Sequence, residues 1–179
     1  MSDTSAQRQA LPHGALFPTA ASGLRGTIRV PGDKSVSHRA ALLGAVSDGA
    51  VTVSGFLRSA DTEASLRAVR TLGVEMQDQG DHLVIQGRGW EGLSEPADVI
   101  DVANSGTLIR LMPGLVASLP LTCVFTGDAS IRRRPMARIL DPLAAMGATV
   151  VGRRNDTLPP FAIRGGNLRG VTHRLPVAS

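Results

Sequence analysis

"RVPGDKSVSHRAALLGAV", residues 29–46, joins two unlike pieces. A short strand-like run meets Pro31-Gly32, and a polar knot follows: Asp33, Lys34, Ser35, Ser37, His38 and Arg39. Beyond it, apolar residues recur at helical spacing, which predicts a helix from Ser35 to Val46. A lysine, two hydroxyls and an arginine therefore stand at the mouth of an otherwise apolar helix.

The chain downstream repeats this order. The first helix leads to a strand, AVTVSGF, a polar link with Asp61-Thr62, a helix, EASLRAVRTLGV, and a strand, HLVIQG. Later, SGTLIRLMPGLVA leads to LTCVFTG, a link with Asp128 and Ser130, the helix-like PMARILDPLAAMGA, and FAIRGG. Leu66, Val69 and Leu72 share one helical face. Each second helix ends near a glycine, where a left-handed cap is cheap. The period, roughly 70 residues, exceeds that of solenoids, so each unit is a small α/β layer.

A third copy begins. "LRGTIRVPGDKS" starts at Leu24 and "LRGVTHRLPVAS" at Leu168, so Ser35 corresponds to Ser179. The expected organisation is a flexible leader over 1–23, units at about 24–95 and 96–167, and the start of a third over 168–179. An opening strand without its covering helix predicts a fragment or one piece of a split protein. The alternative is a short strand at a sheet edge.

Of the 179 residues, 42% are apolar and 19% charged, which predicts a buried core. No apolar run reaches the ~18 residues of a membrane helix. The N-terminal stretch lacks the basic-then-apolar order of a signal peptide. Cys123 is the single cysteine and lies within LTCVF, where a buried, inert thiol is expected. These features predict a cytoplasmic protein. A net charge of +4 favours anionic partners. Four Phe, one Trp and no Tyr offer few stacking faces for nucleic acid, so small phosphorylated or carboxylated molecules are the expected partners.

The helix mouth suits such partners. The first N–H groups of a helix lack internal acceptors and carry the positive end of its dipole. Lys34 adds a mobile charge, Ser35 a hydroxyl, and Arg39 follows one turn on. "ANSGTLIR" offers a second mouth: Gly106 permits close approach, and Arg110 lies four residues later. In "SIRRRPMAR", Pro135 suits a first helical turn, and one of Arg132, Arg133 and Arg134 can clamp an anion in a fork. Taken singly, each is more often a solvated cap, turn or charge run. His38 and His173 have no partner at metal-ligand spacing, so neither metal nor cofactor is expected. Asp61, Asp101, Asp128 and Asp141 read as caps and links, not as an acid/base pair.

Together, "PGDKSVSHR", "NSGTLIRL", "TGDASIRRRPM", "LDPLAAMGA" and "PVAS", in this order, resemble the 5-enolpyruvylshikimate-3-phosphate synthase family from about Leu24 to Ser179. The resemblance implies an α/β fold of repeated βαβαββ units, the enolpyruvyl transferase fold, with two units and the first strand of a third here. It implies transfer of the enolpyruvyl group of phosphoenolpyruvate to the 5-hydroxyl of shikimate 3-phosphate, in the cleft between two such domains. By resemblance Lys34 contacts phosphoenolpyruvate between the substrates, and Ser35 and Arg39 hold shikimate 3-phosphate. Gly106 and Arg134 meet phosphoenolpyruvate, and Ser179 opens the group that binds the shikimate phosphate. Asn104, Thr107 and Arg110 shape the site. The family's proton-transferring Asp and Glu fall beyond Ser179, so residues 1–179 are expected to be inactive without a C-terminal half. Leu111 departs from the Pro of many members, which bears on subclass. The enolpyruvyl transferase acting on UDP-N-acetylglucosamine shares the repeats but typically has Lys-Asn where Lys34-Ser35 stand. Two other classes stay open at the level of sequence. One is an RNA-binding or RNA-end-processing α/β repeat protein, which salt-dependent RNA binding would reveal. The other is a catalytically dead binding module.

Overall fold

The segment expected as a leader contains a paired stretch: β1 (Arg8–Ala10) runs antiparallel to β2 (Leu16–Pro18), with Gln9 opposite Phe17. The computed structural model describes these two strands, Gly23 and residues 25–174; Ser179 lies outside the described residues. The chain divides between Val30 and Pro31 into two compact units. Everything below belongs to the second.

Asp33 starts the first long helix. Its extended backbone turns the carboxylate back to accept from the Val36 N–H at 2.7 Å, an N-cap that satisfies an otherwise orphaned donor. The helix α1 (Lys34–Ala45) buries Ser37, His38, Ala41, Leu42, Gly44 and Ala45. It leads to β3 (Asp48–Ser54) and then to α2 (Ala60–Thr71). There Ser59 and Thr62 form a reciprocal capping box, a device worth about 1 kcal/mol. Gly73 leaves α2 at φ +86°, and β4 (Glu75–Asp78) and β5 (His82–Arg88) follow. The three strands form an antiparallel sheet in the order β3-β5-β4, with Leu83 and Ile85 of β5 facing the core.

The second repeat has the full order βαβαββ. It consists of β6 (Ile100–Asp101), α3 (Leu108–Ala117), β7 (Thr122–Thr126), a 3-10 turn (Ile131–Arg133), α4 (Ala137–Met146), β8 (Thr149–Gly152) and β9 (Leu158–Arg164). Its sheet order is β6-β7-β9-β8; β6 is parallel to β7 and the other pairs are antiparallel. Thus β7, β9 and β8 stand as β3, β5 and β4 do, and the repeat read from sequence is present in pairing as well as order. Gly147 closes α4 in the left-handed region, at φ +112°, as the glycine pattern predicts. Phe125 and Phe161 face each other across β7 and β9, ring centroids 5.3 Å apart, a cross-strand aromatic pair at the centre of the sheet face. α1 packs beside α3, and α2 against β6. Leu66, Leu72 and Ile85 therefore join Leu108, Met112 and Phe125 in one buried cluster.

Two readings change. The strand-like run before Pro31 forms no strand: residues 25–33 pair with nothing among the described residues, and Ile28 and Val30 are exposed. Extended backbone becomes a strand only with a ladder partner, which β6 has in β7. At the other end, residues 165–174 carry no strand, and the remainder of the third-repeat opening lies outside the described residues. Pro135 also falls outside α4, which begins two residues later. The Met136 N–H donates to the Thr157 carbonyl at 2.8 Å, so a tertiary bond, not the proline, fixes the start of the helix. No described helix is long and apolar enough to cross a membrane.

Candidate anion-binding site

The mouth of α1 is already partly occupied by its own cap. Asp33 takes the Val36 N–H, so an incoming anion is met mainly by side chains. The Lys34 ammonium lies 2.9 Å from Asp61 Oδ2 on α2 and stays half exposed, at 51% against 26% for Asp61. Arg39, one turn on from Ser35, donates to the Ser35 carbonyl at 3.0 Å. Lys34, Ser35 and Arg39 therefore sit together at one helix end, Lys34 held by a single carboxylate and all three exposed. Asp61, read from sequence as a link, is the counter-charge of Lys34. The 27 residues between them hide that pairing from any local pattern.

The mouth of α3 is organised differently. Thr107 makes no cap bond; the buried Ser105 hydroxyl accepts from the Leu108 N–H at 3.2 Å. Arg110 donates to the Gly106 carbonyl at 3.1 Å. A Cβ on Gly106 would stand 2.3 Å from Arg134 Nη1 and 3.4 Å from Arg110 Nη1. Both guanidinium groups thus lie against the one residue that has no side chain. Of the three arginines, Arg134 is the one brought to the mouth. Arg132 turns inward to the Gly127 carbonyl, and Arg133 is exposed. The Asn104 amide bonds to Asp128, whose carboxyl is held below the ordinary carboxylate range by the Ile131 N–H first and Asn104 second.

Between α1 and α3 runs a groove of about 360 Å³, with Arg39, Leu42, Leu43, Trp90, Leu111 and Leu115 among its walls. Its lining is apolar apart from Arg39, so it suits no phosphate, and the anion chemistry stays at the helix mouths.

Sequence reading treated His38 only as a candidate metal ligand and left it aside. It is fully buried, with Nδ1 2.6 Å from Ser65 Oγ on α2 and Nε2 without a partner. Its place could have been read from spacing, because it falls with Ala41, Leu42 and Ala45 on the apolar stripe of α1. Burial is the main cause lowering its pKa; Asp61 opposes, and Lys34 and Arg39 reinforce. The folded pKa therefore lies below the ordinary 6.5. Below that pH the unfolded chain takes up the proton first, so stability falls as pH drops through the window between the two values. Urea midpoints at about pH 7.5 and about pH 5 should show a larger acid loss for the native chain than for His38→Asn. Equal losses would assign the acid sensitivity to other groups. Cys123 is inert as expected: burial, helped by Glu95, pushes its thiol up to about 12.

These features occur in known proteins. The sequence profile described as EPSP synthase (3-phosphoshikimate 1-carboxyvinyltransferase) matches residues 18–179. The 3-phosphoshikimate 1-carboxyvinyltransferase of Desulforudis audaxviator is 52% identical over 162 residues, covering 90% of this chain and 38% of that protein. That of Brevibacillus brevis is 48% identical over 159 residues, covering 89% and 37%. The EPSP synthase structure from Acinetobacter baumannii superposes with a TM-score of 0.81 at 42% identity, covering 86% of this chain and 35% of that one. The chain thus spans little more than a third of the length of these relatives. With the repeat order, the motif order and the profile in agreement, the chain belongs to the EPSP synthase (3-phosphoshikimate 1-carboxyvinyltransferase) family.

Proposed function

We propose that this chain supplies one substrate-binding wall for transfer of the enolpyruvyl group of phosphoenolpyruvate to the 5-hydroxyl of shikimate 3-phosphate, a step toward chorismate and the aromatic amino acids. The observation that carries this reading is the convergence of Arg110 and Arg134 on Gly106. It places two guanidinium groups beside exposed backbone at a helix N-terminus, a setting for a carboxylate-phosphate such as phosphoenolpyruvate. Arg134 grips that anion, Gly106 lets it reach the backbone, and Asn104, Thr107 and Arg110 shape its walls. Lys34 stands between the two substrates, and Ser35 and Arg39 hold shikimate 3-phosphate. Ser179 is assigned to the same phosphate by resemblance alone.

In the reaction the C–O bond between phosphate and the enolpyruvyl carbon breaks, a C–O bond to the 5-hydroxyl forms, and the hydroxyl proton and phosphate leave. Moving that proton needs a positioned acid and base. The carboxylates near the mouths are committed elsewhere: Asp33 caps α1, Asp61 pairs with Lys34, and Asp128 caps the 3-10 turn. We therefore assign acid/base work to the part of the relatives that lies outside the matched region. The Lys34-Ser35 pair and the family membership favour this reading over the UDP-N-acetylglucosamine transferase and over RNA binding.

The test measures phosphate release from phosphoenolpyruvate and shikimate 3-phosphate by residues 1–179, alone and with the unmatched remainder of the Desulforudis protein as a second polypeptide. No release alone and release on mixing are expected. Turnover by residues 1–179 alone would place the acid and base among the carboxylates described here as caps. A folded mixture that binds neither substrate would remove the reading.

A further inference from the structure

Neither Gly106 nor Arg134 sits in a regular element that holds it in place. Gly106 belongs to the loop from β6 to α3, in which Ala103 adopts a left-handed φ of +52° although it is not glycine. Arg134 is extended, just after the 3-10 turn. The guanidinium lies against the glycine, so its position depends on how the loop and the turn are held relative to each other. One residue spans both. The Asp128 N–H donates to the Ala103 carbonyl at 2.8 Å, and its carbonyl accepts from the Arg132 N–H at 3.0 Å. One carboxylate oxygen accepts from the Ile131 N–H at 2.8 Å, starting the turn that ends at Arg134. The other accepts from the Asn104 amide, two residues before Gly106. Gly127 makes the approach possible, since a Cβ there would lie 2.7 Å from the Ala103 carbonyl oxygen.

We propose that Asp128 is a positioning residue for the proposed phosphoenolpyruvate subsite: its carboxylate bridges Asn104 and Ile131 and thereby sets Arg134 against Gly106. This rests on the proposed function for the identity of the ligand, but not for the bridge. A loop and a turn tied by one two-oxygen bridge lose relative freedom before the ligand arrives, so less ordering is left to offset at binding. The role needs two acceptor or donor arms of the right reach, not a negative charge.

That distinction gives the test. Asp128→Ser keeps a good acceptor for the Ile131 N–H but cannot reach Asn104. Asp128→Asn keeps both arms, because the Asn104 amide can turn and accept from the new amide. In residues 1–179, the Gly106 amide and Arg134 side-chain NMR signals should shift in Asp128→Ser and stay near native in Asp128→Asn. With phosphoenolpyruvate as the probe, Asp128→Ser should bind roughly tenfold more weakly and Asp128→Asn within about threefold of native. Adding Asn104→Ala to Asp128→Ser should cost little more, since both remove one bridge. Unmoved Gly106 and Arg134 signals in a folded Asp128→Ser chain, or additive losses in the double variant, would overturn the proposal. Should Asp128→Ser fail to fold, the Asp128→Asn and Asn104→Ala chains decide. Native-like signals in the first and displaced signals in the second support the bridge; the reverse order sinks it. If the native chain gives no response to phosphoenolpyruvate, the ligand assignment fails, while the ligand-free signals still decide the bridge.

Discussion

Arg134→Ala is expected to abolish useful binding of phosphoenolpyruvate while leaving the fold intact. In the completed cleft the loss should be roughly 2–5 kcal/mol, the range for removing one partner of a desolvated ion pair. In residues 1–179 alone, open to water and salt, the same contact is screened and the loss should be smaller. Gly106→Ala should act through the same arginine. Its Cβ would fall 2.3 Å from Arg134 Nη1, but that atom ends a flexible arm. The arm can swing away, so the thermal midpoint should change little while affinity falls. Calorimetric titration with phosphoenolpyruvate, beside thermal unfolding of the same samples, separates the two quantities. Native-like affinity in folded Arg134→Ala and Gly106→Ala would remove the site.

Two other glycines should behave in the opposite way, losing the fold rather than the ligand. At Gly87 a Cβ would stand 2.2, 2.6 and 2.7 Å from the carbonyl oxygens of Ser47, Gly44 and Gly49. At Gly165 it would stand 2.4 Å from those of Ala117 and Leu119 and 2.5 Å from that of Val116. Both lie where a repeat's last strand, or the residue just after it, passes the C-terminal end of that repeat's first helix. The helix's last carbonyls, which have no intrahelical donor, crowd toward the crossing chain. Backbone oxygens cannot rotate aside as a side chain can. Gly87→Ala and Gly165→Ala should therefore each cost about 3 kcal/mol, the upper end for overpacking, against a total stability of about 5–15 kcal/mol for a domain. Gly114→Ala is the control: nothing lies within 4 Å of its Cβ in the middle of α3. It should stabilise by about 0.5–1 kcal/mol through helix propensity. Urea denaturation of the three variants checks the order. A Gly165→Ala chain as stable as the control would mean that the crossing has room the structure does not show.

Much of this was legible in the order of residues. The repeat showed because each copy obeys the same local rules: apolar spacing on α1 and α3, glycine exits at Gly73 and Gly147, and alternating burial in β5 and β9. The motif run from "PGDKSVSHR" to "SIRRRPM" was enough to place the chain in its family and to name Lys34, Gly106 and Arg134. Such signals depend on neighbours one to four residues apart, whose relative directions follow from helix or strand geometry alone.

Other features depended on packing. Sequence could not say which of Arg132, Arg133 and Arg134 turns to the mouth. The choice depends on the 3-10 turn and on how closely Gly106 approaches from another loop. Asp61 as the partner of Lys34, Ser65 as the partner of His38, and Asp128 between Asn104 and Ile131 were likewise invisible. The first two pairs join residues 27 apart, and Asn104 and Asp128 are 24 apart. At such separations the meeting of two side chains is set by how α1 lies on α2 and by how β6 pairs with β7. Caps and links were the natural reading of those carboxylates from sequence, because a short acidic side chain satisfies nearby N–H groups in almost any turn. Only the packed chain could show that the second oxygen of Asp128 reaches across to another loop.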